Sequence, residues 1–153
     1  MNIFFIGFYF VSLHELKLGL MNDKEINQVN ANGEKEGYWE YYYPSGKMWH
    51  KGNYINGKED GLWEKYHPNG QLNCKGNFVN GKRDGWWEYY HFNCNLHYNG
   101  NYINGKEDGW WEWYHENSKL WHKGNYINGK KDGWFEEYNE EGELINKIFY
   151  VNI

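Results

Sequence analysis

Residues 56–79 read NGKEDGLWEKYHPNGQLNCKGNFV, and this 24-residue phrase returns along the chain without insertion. Its opening, Asn-Gly-[Glu/Lys]-x-x-Gly, begins at Asn32, Asn56, Asn80, Asn104 and Asn128. After each opening come an apolar residue, then Trp or Phe, then one of Glu40, Glu64, Glu88, Glu112 or Glu136. Two positions on stands Tyr42, Tyr66, Tyr90, Tyr114 or Tyr138. A strict period of this length signals an array of stacked supersecondary units.

Each unit reads as two strands and two turns. The first strand spans about Gly37–Tyr43 and the second about Lys47–Ile55, both rich in the aromatic residues that strands favour. Pro44-Ser45-Gly46 and Pro68-Asn69-Gly70 supply turn chemistry between them, because Pro presets φ and Gly admits positive φ. Cys94 and Ser118 replace the turn glycine in the third and fourth units, which puts the turn geometry there in question. The Asn-Gly openings make the links between units. From Asn32 onward nothing shows helical periodicity. The expected fold is all-β: an elongated single-sheet solenoid of five tandem antiparallel β-hairpins, about ten strands, with residues 32–153 as the array. Ile148 and Phe149 replace the Gly-Asn pair of Gly52-Asn53 in the last unit, as a cap would.

A register follows if Pro44, Ser45 and Gly46 form the loop. Tyr42 then faces Met48, Tyr41 faces Trp49, Glu40 faces His50, Trp39 faces Lys51 and Tyr38 faces Gly52. The Tyr41/Trp49 pair recurs as Lys65/Asn73, Tyr89/His97, Trp113/Trp121 and Glu137/Ile145, with like meeting like in several units. One face then carries the constant positions Tyr38, Glu40, Tyr42, Met48, Gly52 and Tyr54. The other carries Trp39 against Lys51 and the variable aromatic pairs. The glycine at 52 lets the ring opposite lie across the backbone.

Composition narrows the function classes. The 153 residues are 22% aromatic with 19 glycines, and all ten Trp lie between Trp39 and Trp134. At a mean hydropathy of −1.03, any core must be made of rings. A net charge of −5 excludes a backbone-tracking nucleic-acid binder, which needs a basic stripe. Cys74 and Cys94 form no metal or disulfide pattern and read as free thiols in a reducing, cytoplasmic setting. Residues 1–31 stand apart. The apolar run Ile3–Leu13 is too short to span a membrane as a helix and lacks the flanks of a signal peptide. Either Met21 is the true start, or the segment caps the first hairpin; secretion or anchoring is the alternative.

The pattern Asn-Gly-Lys-x-Asp-Gly-x-Trp-x-x-Tyr-x-x-Asn-Gly-x-Leu resembles the MORN repeat in its 24-residue bacterial variant, found in YwqK-type antitoxin-like proteins. The resemblance covers roughly residues 32–151. It implies a rod-like array of β-hairpins that binds proteins or, in some members, membrane lipids. In the YwqK-type branch it implies an antitoxin- or immunity-like role.

Catalytic and metal chemistry find no support in the pattern. His67, His91 and His115 recur in a column, but equivalent strands lie ~9.6 Å apart, and zinc donors must converge within ~3–4 Å of one another. The five repeated Glu offer no asymmetry to split their pKa values into acid and base. A structural role fits them better, with hydrogen bonds across the strand to His50, His122 or tyrosine hydroxyls. No phosphate loop leads into a helix, and no Ser or Cys nucleophile has a His and an acid arranged beside it. The expectation is a non-enzymatic chain with no cofactor and no metal, whose job is to bind a protein through Tyr41, Trp49, Tyr89, Trp113 and Trp121. Trp and Tyr dominate interface hot spots, and exposed apolar patches mark interaction sites. Glycan binding through aromatic platforms is one alternative. Binding to an anionic membrane through Lys51, Lys75, Lys123 and Lys147 is another.

Overall fold

The computed structural model describes residues 25–152, so the apolar segment Ile3–Leu13 and the expected cap lie outside the described residues. Eleven strands form one open antiparallel sheet: β1 (Gln28–Val29), β2 (Lys35–Tyr42), β3 (Met48–Ile55), β4 (Lys58–Tyr66), β5 (Leu72–Val79), β6 (Lys82–Tyr90), β7 (Leu96–Ile103), β8 (Lys106–Tyr114), β9 (Leu120–Ile127), β10 (Lys130–Tyr138) and β11 (Leu144–Tyr150). Spatial order equals chain order, so each strand pairs with its sequence neighbours. The described residues contain no helix. This is the expected hairpin solenoid with one addition, the two-residue β1, which pairs with β2 inside the stretch taken as linker.

Two turns alternate. The Asn-Gly links are two-residue loops in which Ile55 pairs with Lys58. Both turn residues are left-handed, Asn56 at φ 48° and Gly57 at φ 74°, the type I′ geometry that matches strand twist. The acidic residue of one repeat caps the next of these turns: the Asn80, Asn104 and Asn128 amides donate to Asp60, Asp84 and Asp108 at 3.1–3.2 Å. That contact explains the Asp in the motif. At the other end, the Tyr43 amide donates to the Lys47 carbonyl and the Gly46 amide to the Tyr43 carbonyl, with Gly46 at φ 80°. Cys94 and Ser118 keep the same turn and accept φ 70° and 67° themselves. The turn survives the loss of glycine because the flanking ladder holds it, at a backbone cost of about 1–2 kcal/mol each.

The register differs from the expected one by a single residue. Tyr42 does pair with Met48, but Tyr41 pairs with His50, Glu40 with Lys51, Trp39 with Gly52 and Tyr38 with Asn53. Trp49 is skipped as a β-bulge, and Asn73, His97, Trp121 and Ile145 are skipped in the same way. A bulge inserts one unpaired residue, and one residue exchanges the faces of everything beyond it. Tyr41/Trp49, Trp113/Trp121 and their equivalents are therefore not facing pairs, and Trp39 does not face Lys51. The partners are Tyr41/His50, Lys65/Cys74, Tyr89/Tyr98, Trp113/His122 and Glu137/Asn146.

With that register, Trp39, Tyr41, His50, Gly52 and Tyr54 share one face, and Tyr38, Glu40, Tyr42, Lys51 and Asn53 share the other. Across the first face runs a row in which rings and glycines alternate: Trp39, Gly52, Trp63, Gly76, Trp87, Gly100, Trp111, Gly124, Phe135 and finally Ile148. Each glycine is the floor for the ring of the next repeat. A Cβ at Gly52 would collide with the Trp63 indole, and the same holds for Gly76 with Trp87, Gly100 with Trp111 and Gly124 with Phe135. This flat seating buries Trp63, Trp87 and Trp111 to 1–2% exposure, although the described residues form no second layer. Their indole N–H groups donate to the carbonyls of Asn53, Asn77 and Asn101 at 3.1–3.2 Å, so burial leaves no orphaned donor. Trp39 has no preceding repeat, and β1 substitutes by offering the Gln28 carbonyl at 3.0 Å. In β11, the last strand of the described residues, Ile148 stands where the glycine would be.

Candidate binding face

Beside the ring row, Tyr54, Phe78, Tyr102, Tyr126 and Tyr150 stand edge-on to the neighbouring rings. Tyr54 lies 5.9 Å from Trp39 and 5.1 Å from Trp63; Tyr150 closes the series 5.2 Å from Phe135. Edge-to-face contact suits the ring quadrupoles, and this zigzag makes the core continuous from repeat to repeat. On the flank toward the bulges, the same face carries the variable residues Tyr41, Lys65, Tyr89, Trp113 and Glu137.

The five residues expected to bind a partner meet different fates. Tyr89 is buried, stacked on Tyr98 at 4.1 Å, and is part of the core. Tyr41 is half-buried, 5.7 Å from Trp39 and 4.2 Å from His50. Trp49 protrudes from its bulge at 45% exposure, 6.5 Å from Tyr41. Trp113 and Trp121 do come together. They line a groove of about 350 Å³ at the C-terminal end of the face, together with the apolar Tyr126, Phe135, Ile148 and Tyr150 and the polar His122, Lys131, Glu136, Glu137 and Asn146. Trp121 is 36% exposed and packs on His122 at 4.0 Å. Burial together with the Lys131 charge lowers the His122 pKa against the opposing pull of Glu137, so its ring is neutral near pH 7. His50, half-buried near Lys65 and Lys35, is pushed down to about 4, chiefly by loss of solvent.

The opposite face is a charge ladder. Lys51, Lys75 and Lys123 pair with Glu64, Glu88 and Glu136 at 2.9, 2.8 and 3.1 Å, and Lys147 reaches Glu136 at 2.7 Å. The tyrosine two residues on donates its hydroxyl to the same carboxylate in Glu64, Glu88, Glu112 and Glu136. The glutamates are thus structural, each bonded to a tyrosine of its own strand and, at Glu64, Glu88 and Glu136, to lysine as well, rather than to His50 or His122. The lysine column offers no free basic stripe. Lysine and tyrosine together hold the Glu136 carboxyl down to about 2. The histidine column is structural too. Nε2 of His67, His91 and His115 donates to the carbonyls of Tyr90, Tyr114 and Tyr138 at 3.0 Å, as the Tyr43 hydroxyl does to Tyr66 at 2.8 Å.

This face also shows a row that sequence reasoning missed. Leu62, Trp86, Trp110 and Trp134 are 47–62% exposed, one in each repeat after the first. They occupy the position before each buried ring, so alternation along the strand could have assigned them outward once the buried ring was known.

An open sheet made only of tandem hairpins, with its core on one face and a salt-bridge ladder on the other, is a repeat scaffold. Three of its stretches, residues 35–56, 59–80 and 107–128, match the MORN repeat variant. No curated protein matches the chain in sequence. Among solved structures it is similar to TarM, at 13% identity and a TM-score of 0.39 over 80% of this chain and 24% of that one. A mutant S. aureus TarM in complex with Fondaparinux, alpha-GlcNAc-glycerol and UDP gives 11% identity and the same TM-score, over 81% and 24%. The GtfA/B complex bound to UDP and GlcNAc gives 11% and a TM-score of 0.28, over 70% and 21%. The chain thus spans about a quarter of the length of these structures' chains or less.

Proposed function

We propose that the chain is a non-catalytic protein-binding scaffold, and that its docking site is the groove between Trp113, Trp121 and Ile148. MORN repeats are in general protein- or membrane-binding modules. The groove itself carries the reading. It is the place where two variable, ring-bearing positions open beside the invariant core, in a lining of rings and aliphatic carbon with a few polar groups among them. A cleft lined mainly by rings and aliphatic carbon, with a few polar groups, fits an apolar side chain projecting from a protein partner. Variable positions on a constant frame let such an array change partners without changing fold. An antitoxin- or immunity-like role is one form of this activity, with a toxin as the partner. The membrane alternative has less support, because Lys51, Lys75, Lys123 and Lys147 are all ion-paired.

The test is site-specific photocrosslinking in cells. A photoreactive residue at Asn146, which lines the groove, is compared with one at Leu62, on the opposite face. One protein adduct from Asn146 and none from Leu62 is expected. Binding of that purified protein should then weaken at least tenfold in Trp121→Ser, with circular dichroism unchanged. Adducts from both faces alike, or from neither, would remove the groove from the proposal.

A further inference from the structure

Trp86 and Trp110 stand apart from the other tryptophans. Trp39, Trp49, Trp63, Trp87, Trp111, Trp113, Trp121 and Trp134 each touch another ring. Trp134 also has Lys147 Nζ 4.9 Å from its ring centre. Among the described residues Trp86 and Trp110 touch no ring and no cation, and they are 50% and 47% exposed. Both lie on the ladder face, in β6 and β8 with β7 between, so their strands run ~9.6 Å apart. The Trp110 indole N–H donates to Glu112, two residues on, at 3.2 Å, and the Trp86 N–H is held by Glu88 in the same way. That bond lays each ring along its own strand. Exposure near one half fits a ring with one face on the sheet and the other open to solvent.

The ladder changes between these two rings. Its lysine column reads Lys51, Lys75, Asn99, Lys123, Lys147. Asn99 pairs with Glu88 on one side and Glu112 on the other. Glu88 keeps Lys75 at 2.8 Å, but Glu112 has no ion pair among the described residues. Its carboxylate accepts the Trp110 N–H and, at 2.7 Å, the Tyr114 hydroxyl. A carboxylate with two donors still has acceptor sites to spare. Asn101 pairs with Trp86 and shares its face, and its side-chain amide has no partner among the described residues.

We propose that Trp86 and Trp110 form a two-ring platform for an uncharged, extended glycan, with Asn101 and Glu112 bonding its hydroxyls. A pyranose has broad faces of C–H groups, which carry slight positive charge and suit the negative face of an indole. Alternate sugars of a β-1,4-linked chain present the same face, so the strand spacing seats one sugar on each indole with one between. Hydroxyls both donate and accept, as the Asn101 amide does, and Glu112 accepts. Charge selects against other polymers. Without a lysine at Asn99 the platform has one carboxylate in excess, which repels the phosphates of nucleic acids and anionic lipids and the carboxylates of acidic glycans. A flat protein surface would bury the Asn101 amide and the Lys75–Glu88 pair and strip their water. The platform lies opposite the groove and does not depend on it.

The full chain, labelled with 5-fluorotryptophan, is titrated with cellotetraose and chitotetraose and followed by fluorine NMR, with cellobiose and tetragalacturonate as controls. Trp86→Phe and Trp110→Phe identify the two signals. Saturable shifts of Trp86 and Trp110 are expected at about 1 mM of an uncharged tetrasaccharide. High salt should leave them unaltered, because no ion pair forms. Cellobiose reaches one indole and should bind at least tenfold more weakly. Trp86→Ala, read at Trp110, and Trp110→Ala, read at Trp86, should each weaken binding at least tenfold, with circular dichroism unchanged. Trp110→Tyr keeps a stacking ring and should retain most of it. Trp134→Ala should change nothing. Asn99→Lys supplies the missing lysine to Glu112 and should weaken binding severalfold. No saturable shift, equal affinity for cellobiose, preference for tetragalacturonate, or binding unaltered in both alanine variants would overturn the platform.

Discussion

The indole of Trp63 lies flat against the backbone of Gly52, in the space a side chain at 52 would need. The same seat is repeated under Trp87, Trp111 and Phe135, and it is how the single sheet of the described residues buries its largest side chains. An alanine methyl in that seat has nowhere to go, since the ring above is also tied through its N–H to Asn53. Gly76→Ala is expected to cost about 3 kcal/mol by overpacking, read from urea unfolding. Ile148→Ala, in the last strand of the described residues, should cost about 1 kcal/mol.

Cys94 and Ser118 hold the left-handed turn position that Gly46, Gly70 and Gly142 hold elsewhere. Each residue bears the steric cost of a Cβ at positive φ. Cys94→Gly and Ser118→Gly should therefore each stabilise the chain by about 1 kcal/mol. Gly46→Ser should destabilise it by a similar amount, and thermal melts of the three variants side by side make the comparison.

Acid should unfold the array in two stages. His50, His97 and His122 have folded pKa values below the ordinary 6.5, chiefly through burial. The unfolded chain binds their protons first, so stability falls as pH drops below about 6.5 and continues toward about 4, the folded value of His50. Glu64, Glu88 and Glu136 have depressed values through their lysine and tyrosine partners. Their contribution is complete above the ordinary 4.5 and is lost on descent toward about 2, the folded value of Glu136. Urea midpoints from pH 8 to pH 2 should show both declines. His50→Phe should flatten the upper stage, and Glu136→Gln or high salt the lower.

Tyr89 and Trp121 were expected to share one role, and the structure separates them. Tyr89 is buried at 8% exposure against Tyr98, while Trp121 stands on a bulge at the groove. Tyr89→Ser should cost about 3–4 kcal/mol in urea unfolding, as loss of a core ring does. Trp121→Ser should cost about 1 kcal/mol and act instead on partner binding.

Much of the fold was legible because it is periodic. The spacing of Asn32, Asn56, Asn80, Asn104 and Asn128 defines five units, and Asn-Gly and Pro-x-Gly chemistry locates the turns. The Gly52 column announced that rings would lie across backbone. The site was less legible. Trp113 and Trp121 do line one groove, but they were chosen as a facing pair, and they are not one.

The amino-acid sequence by itself determined the number of units, their turns and the aromatic nature of the core, since these depend on local backbone preference and composition. Tertiary structure alone decided the register. Trp49 is as good a strand residue as Tyr41, and nothing local marks it as the residue the ladder skips. Skipping it lets Trp39 and Trp63 flank Gly52, a gain that involves three strands at once. One skipped residue exchanges the faces of all that follow, because side chains alternate with a period of two. The core seat of Tyr89 and the Lys–Glu ladder both follow from that choice.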